Sequence, residues 1–215
     1  TLHDLIIRID PEPIRELIAK EVKKAHRAHE LENTELPFSM VSIDGKSISI
    51  SKIPVGKFSQ ESKCNGRIHY LNRVLRAAHV SSKTKLIIAQ REIRGKTSVM
   101  GEFTNFIEDL FGLYGSTTLI EVLSMDAGMN SKANADYIIE NECDYIFGLK
   151  NPQKNLVKLG KKLLGDRTDY DKFTIEKSNG KTVRRELYRT ETPEYPGWPH
   201  LKEIWRIRQV TMHPK

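Results

Sequence analysis

Two aspartates constrain this chain more than any other feature. Asp44 and Asp126 each end a short apolar, strand-like run, and each is followed at once by small residues, Gly45 and Ala127-Gly128. An unpaired carboxylate is expensive to place in an apolar interior. Two of them at strand ends therefore indicate a bound cation or a catalytic cleft. The alternative is that each aspartate only caps the turn that follows it.

The order of predicted elements is strand, strand, strand, helix, strand, helix, strand, helix. The strands are expected at 40–50, 74–80, 85–90, 118–125 and 144–149, and helices are expected after Pro11, Ser98, Ser131 and Asn151. This order predicts a mixed α/β sheet and is the order of ribonuclease-H-like folds. The polar, glycine-containing stretch 54–72 is expected to be a long loop.

Three regions follow from this pattern. Residues 1–36 form an N-terminal helix and linker, residues 37–165 form the α/β core, and residues 166–215 form a β-rich tail with strands near 173–176, 182–189 and 204–212. In a mixed sheet the first strand usually lies centrally, and the strand after the first core helix can lie beside it. Asp44 and Asp126 could then meet although 82 positions separate them. Facing carboxylates suit Mg²⁺ or Mn²⁺, which prefer oxygen ligands.

Positive charge is concentrated in one stretch. The chain has a net charge of +7, yet residues 52–96 alone hold eleven Lys and Arg against two Glu, a local charge of +9. Such a field suits a polyanion such as DNA or RNA. The alternative is a solvated basic face without a partner.

Several classes of protein lack support in the sequence. No apolar run approaches the roughly 20 residues of a membrane span, and no signal peptide is visible at Thr1, so a cytoplasmic location is expected. The two cysteines, Cys64 and Cys143, lack zinc-knuckle spacing. His26 and His29 could share a ligand, although a solvated helix face is the simpler interpretation. No nucleophile motif for acyl transfer occurs.

Two tryptophans in the tail allow two interpretations. Trp198 and Trp205, with the nearby Arg206 and Arg208, could stack on bases. They could equally form the core of the tail.

Taken together, several motifs carry a family resemblance. In chain order they are Ile43-Asp44-Gly45-Lys46, Gly95-Lys96-Thr97, Met125-Asp126-Ala127-Gly128, residues 144–153, residues 183–189, residues 198–202 and residues 205–209. With these motifs, the chain from about Phe38 onward resembles bacterial insertion-sequence DDE transposases of the H-repeat-associated type.

The resemblance implies a ribonuclease-H-like catalytic domain interrupted by a β-rich insertion. It implies DNA strand cleavage and strand transfer at insertion-sequence ends, with two Mg²⁺ or Mn²⁺ ions in the complete enzyme. Asp44 and Asp126 match the first two catalytic, metal-binding acids. The partners implied are transposon-end and target DNA at the nucleoid, with a homodimer at full length and no membrane. The basic residues expected to contact DNA are Lys46, Arg94, Lys96, Lys150, Arg184 and Arg185.

The chain departs from the family pattern at one decisive point. The family's third acid, a glutamate in a helix after the insertion, has no match here, because Glu176 and Glu186 stand in the β-rich tail. The chain is therefore expected to be a truncated, inactive transposase. The other functions that fit are a non-catalytic DNA-binding remnant that uses residues 52–96, and a metal-dependent nuclease.

Overall fold

The chain divides into two compact units, with the boundary between Gly148 and Leu149. The computed structural model describes residues 11–50, 59–93, 99–150, 153–178, 180–192, 195, 197–198 and 200–212. The first unit contains a mixed parallel and antiparallel sheet with helices, and the second contains a separate three-stranded antiparallel sheet. The predicted mixed α/β class is confirmed at this level. The predicted domain boundaries near residues 36 and 165 stay predictions.

The helices are α1 Pro11–Arg27, α2 Val99–Tyr114, α3 Lys132–Glu140 and α4 Lys154–Leu164. The strands are β1 Met40–Ile50, β2 Gln60–Cys64, β3 Arg67–His79, β4 Leu86–Glu92, β5 Val122–Met125, β6 Asp144–Phe147, β7 Lys172–Ser178, β8 Lys181–Glu191 and β9 Glu203–Met212. None of the helices in the described ranges has the length and apolar character needed to cross a membrane.

The first strand lies inside the sheet of the first unit. β1 pairs antiparallel with β3 on one side and parallel with β5 on the other, and β6 follows β5. The far side of β3 is shared by β2 and β4. The predicted central position of the first strand, with the strand after the next helix beside it, is confirmed.

Alternation along the strands decides which side chains are buried. Val41 and Ile43 of β1 pair in register with Leu123 and Met125 of β5, and all four are buried. They belong to the same apolar core as residues from α1, α2 and α3. Successive side chains of a strand point to opposite faces. The residues between them, including Ser42 and Asp44, therefore belong to the other face of the sheet.

One predicted loop is partly wrong. Residues 60–72 of the expected 54–72 loop form β2 and the start of β3, joined by a tight turn at Asn65-Gly66 with φ angles of 50° and 73°. Asn-Gly favours a two-residue hairpin turn because both positions need positive φ. The polar composition of the stretch concealed this signal. The part 54–58 lies outside the described residues.

The second unit is a β-sheet with one helix packed on it. β8 is the middle strand between β7 and β9, and α4 contacts β8 and β9. Its small core consists of Leu164, Tyr188 and Ile204. Gly160 of α4 lies so close to β9 that a Cβ there would sit 3.3 Å from the Ile204 Cγ2 atom.

Candidate functional site

Asp44 and Asp126 each follow the last register pair of two adjacent parallel strands. That pair of β1 and β5 is Ile43 with Met125, and each aspartate is the next residue in the chain. Adjacent strands lie about 4.8 Å apart, so the two Cα atoms are expected at about that separation. Both aspartates are exposed. Their side chains can therefore be reached by solvent and by a ligand.

The expectation that both aspartates end a strand holds for Asp126 only. β5 ends at Met125, whereas β1 continues past Asp44 to Ile50. The continuation forms because β3 pairs with β1 along this whole stretch, as far as the Ile50–Tyr70 pair. Asp44 therefore lies in the middle of a strand, level with the end of its parallel neighbour.

Asp126 also performs the turn-capping role that the sequence left open. Its Oδ1 atom accepts a hydrogen bond from the Gly128 amide at 2.9 Å. The next residues fold back over the end of β6, since the Asn130 side-chain amide donates to the Gly148 carbonyl at 2.8 Å. A Cβ at Gly148 would lie 3.0 Å from the Ala127 amide nitrogen, so a larger residue there would have to displace the neighbouring backbone by a few tenths of an ångström. This packing fixes the loop that carries Asp126.

A basic residue missed by the sequence interpretation lies beside the acid pair. Arg76 of β3 is the register partner of Asp44, and Gln90 of β4 is the register partner of Arg76. The Arg76 Nε donates to the Gln90 side chain at 2.9 Å, which holds the guanidinium along the sheet. Lys46 is exposed two residues beyond Asp44 on β1. The sheet register, which cannot be read from motifs, is what brings Arg76 to this place.

The donor set at this edge suits a hard divalent cation in ligand type. Two carboxylates are the ligands that Mg²⁺ and Mn²⁺ prefer, and Mg²⁺ commonly uses only one or two of them together with waters and substrate phosphates. Across the described ranges, no group of three or more His, Cys, Asp or Glu side chains is arranged to hold a metal ion.

The other basic residues expected at DNA have different surroundings. Arg94 and Lys96 lie outside the described residues, and Lys150 is exposed after β6. Arg184 lies 2.9 Å from the Glu186 carboxylate and 5.1 Å from the ring centres of Tyr170 and Phe173.

Arg185 is exposed, and it binds the Glu176 carboxylate at 2.7 Å. It also donates to the Gln209 side chain at 3.0 Å. Both arginines of this pair thus contact other side chains of the second unit, and their DNA roles stay predictions.

The histidines and tryptophans considered as ligand-binding residues have different surroundings. His26 lies 3.2 Å from the Thr118 hydroxyl and His29 lies 3.2 Å from the Glu32 carboxylate, so each has its own partner. Trp198 is buried, whereas Trp205 is 44% exposed.

Arg206 has a structural role in the second unit. Its guanidinium lies 3.9 Å from the Tyr188 ring centre and donates to the carbonyls of Gly165 and Arg167 at 2.6 Å each. Arg206 therefore binds backbone carbonyls that follow the C-terminal end of α4, and this structural role replaces the suggested stacking on bases.

Comparison with known proteins gives a distant structural likeness. No protein-family description matches the chain, and no curated protein matches it. Among solved structures, the chain is similar to a piggyBac transposase in a cryo-EM synaptic complex with hairpin DNA, with a TM-score of 0.40 and 13% sequence identity. The alignment covers 93% of this chain but only 39% of the piggyBac chain. A likeness at this level establishes neither a shared family nor a shared activity.

Proposed function

We propose that this chain carries the catalytic core of a DDE-type transposase, with Asp44 and Asp126 as the first two metal-binding acids. The observation that supports this most directly is the register of β1 and β5, whose last pair, Ile43 with Met125, immediately precedes the two exposed aspartates. The ordered set of sequence motifs supports it independently. The substrate of the complete enzyme is DNA at the ends of an insertion sequence.

The residues around the acid pair have complementary roles in this proposal. Asp44 and Asp126 would hold Mg²⁺ or Mn²⁺, which supplies water activation and charge neutralisation at a phosphodiester when bound. Arg76 of β3 and Lys46 of β1 place positive charge on the face of the sheet to which Asp44 belongs, and they would hold a phosphate group beside the acids. Gln90 keeps the Arg76 guanidinium oriented for that contact.

In the part of the chain that the structure describes, no third His, Cys, Asp or Glu joins the pair as a metal ligand, and this determines the expected activity. Two carboxylates alone bind a divalent ion weakly and leave its geometry loosely defined. We therefore propose that the acid pair binds a divalent ion but does not by itself support efficient DNA cleavage.

The ion site can be tested without relying on activity. Fe²⁺ with ascorbate and hydrogen peroxide produces hydroxyl radicals at a bound iron, which cut the nearby polypeptide. In the wild-type chain we expect cuts near residues 44 and 126, and we expect excess Mg²⁺ or Mn²⁺ to suppress both. In Asp44→Asn both cuts should weaken together, because the two carboxylates share the ion.

The matched control is Asp166→Asn, which neutralises an exposed aspartate of the second unit and should leave the cutting pattern unchanged. Cuts that persist in Asp44→Asn, or that occur only elsewhere, would refute the shared ion site.

Activity is tested separately by incubating supercoiled plasmid with the chain and Mn²⁺. Strong nicking that Asp44→Asn abolishes would contradict the proposed incompleteness. DNA binding that needs no divalent ion, combined with a failed iron experiment, would favour the non-catalytic DNA-binding alternative.

A further inference from the structure

Helix α4 presents a face composed of lysines. Lys154, Lys158 and Lys161 are spaced four and three residues apart and Lys162 is adjacent, so the four lie on one side of the helix. All four are exposed. The helix contains no acidic residue, and among the described residues none of its lysines forms an ion pair.

An ordinary solvated helix of this protein has a different pattern. α1 also carries many lysines and arginines, but it interleaves them with glutamates and forms ion pairs on its own surface. Arg15 contacts Glu12, and the Lys24 ammonium lies 3.7 Å from the Glu21 carboxylate. The exposed face of α4 therefore differs in kind from a mixed-charge surface.

The lysine face weakens the helix that carries it. Like charges three or four residues apart destabilise a helix by about 0.2–0.5 kcal/mol per pair, and Lys158 has such neighbours on both sides. Lys154 adds a positive charge at the helix N-terminus, where the helix dipole is already positive. A bound polyanion would remove this repulsion.

The composition of the second unit extends the same charge. Residues 149–215 contain sixteen Lys and Arg against eight Asp and Glu, a net charge of +8. The whole chain has a net charge of +7, so residues 1–148 sum to −1, because acidic residues elsewhere in the first unit offset the basic stretch 52–96. The lysine face of α4 is thus part of a strongly positive domain.

The apolar face of α4 is already occupied, which distinguishes a polyanion from a membrane. Leu156 and Leu164 are buried, and Leu159 and Leu163 are partly buried against the sheet of the second unit. A helix that binds a bilayer needs a free apolar face to insert. α4 has only its lysines to offer, so the fitting ligand is a hydrophilic polyanion.

We infer that the lysine face of α4 binds the phosphate backbone of duplex DNA, independently of the acid pair. The inference rests on the proposed function for the identity of the polyanion. From Lys154 to Lys162 the helix extends about 12 Å at 1.5 Å per residue, a span over which duplex DNA presents about seven phosphates. Lysine recognises phosphate as a point charge, so binding is expected without base specificity.

The test is binding of a fluorescein-labelled 20-base-pair duplex, measured by anisotropy in EDTA over a range of salt concentrations. EDTA removes any contribution from the proposed ion site. The variant Lys158→Gln/Lys162→Gln removes two charges four residues apart. The control, Lys20→Gln/Lys24→Gln, removes two exposed lysines with the same spacing from α1.

The α4 variant should bind at least about tenfold more weakly at 0.1 M salt, with a log–log salt slope shallower by about 1.8, because each lost phosphate contact contributes about 0.9. The control variant should bind like the wild type. Because the four lysines are exposed, the far-UV circular dichroism of both variants should match that of the wild type.

Each other result has a distinct meaning. Wild-type binding that the α4 variant retains in full would overturn the α4 inference while leaving the proposed function intact. A wild-type chain that does not bind the duplex would count against DNA as the partner and thus against both proposals. If the α4 variant no longer sedimented with phosphatidylserine vesicles but bound the duplex as the wild type does, the lysine face would be assigned to a membrane and the inference would be overturned.

Discussion

Replacing Arg206 should unfold the second unit selectively. Its guanidinium donates to the carbonyls of Gly165 and Arg167 at 2.6 Å each, and it also contacts the Leu164 carbonyl. Leu164 is the last residue of α4, whose final carbonyls lack partners within the helix, and Gly165 and Arg167 lie in the segment that follows it. Tyr188 lies beneath the guanidinium at 3.9 Å. One side chain thus joins the helix end to the sheet.

The size of the effect follows from these contacts. A hydrogen bond from a charged donor contributes about 1.5–3 kcal/mol, and a cation–π contact adds about 0.5–1 kcal/mol at a partly exposed site. Because the contributions are not additive, we expect Arg206→Ala to lower the free energy of unfolding by about 3–4 kcal/mol. Arg206→Lys keeps the charge but loses the planar fork, so it should cost about half as much.

The chain supplies its own optical probe for this measurement. Its two tryptophans, Trp198 and Trp205, both lie in the second unit, so fluorescence in a urea titration reports that unit alone. With a slope near 1 kcal/mol per molar urea, Arg206→Ala should lower the midpoint by about 3 M. Far-UV circular dichroism of the same samples should still show the unfolding transition of the first unit at its wild-type urea concentration.

Arg208→Ala is the matched control for this experiment. Arg208 stands two residues further along β9, with a side chain that is 62% exposed and 3.8 Å from the Glu186 carboxylate. An exposed ion pair contributes at most about 1 kcal/mol, so the control midpoint should move little. Equal urea midpoints for Arg206→Ala and the wild type would refute the view that this side chain stabilises the C-terminal end of α4.

Two further predictions concern buried groups of the first unit. Burial, with a smaller effect of His26, lowers the pKa of His79 below 6.5. Between that lowered pKa and 6.5 the unfolded state binds more protons than the folded state, so the free energy of unfolding should fall with decreasing pH by up to about 1.4 kcal/mol per pH unit. Thermal melts at pH 7, 6 and 5 should show this loss in the wild type and a smaller loss in His79→Gln. Equal losses in the two proteins would contradict the assignment to His79. Burial raises the pKa of the Cys143 thiol to about 11, so in a Cys64→Ser background Cys143 should react with a thiol reagent only after urea unfolding, and rapid labelling of the folded chain would contradict its burial.

Local patterns predicted the strands well where hydrophobic alternation was strong. The first strand was expected at 40–50, which is where β1 runs. The hairpin around Asn65-Gly66 was missed because its strands are polar and one edge of the hairpin carries few apolar residues. The turn dipeptide alone held the information, through its two positive φ angles.

The site was predictable only in part, because it depends on pairing between distant strands. The motifs predicted Asp44 and Asp126 as site residues, which stays a prediction, whereas the expected position of β5 beside β1 agrees with the observed pairing. Arg76 was not identified, since only its pairing with Asp44 distinguishes it from the other arginines of β3. The structural role of Arg206 was also hidden, because its acceptors lie about forty positions earlier in the chain.

The unequal lengths of β1 and β5 have a consequence for access to the acids. β1 continues for six residues past Asp44, up to Ile50, whereas β5 stops at Met125, and no strand in the described ranges pairs with that side of β1 beyond Ile43. The sheet therefore loses β5 beside β1 at this level, and the acids lie in the corner between the end of β5 and the continuing β1. An insertion that lengthened β5 by a few residues would fill this corner with backbone, so the shortness of β5 keeps the approach open.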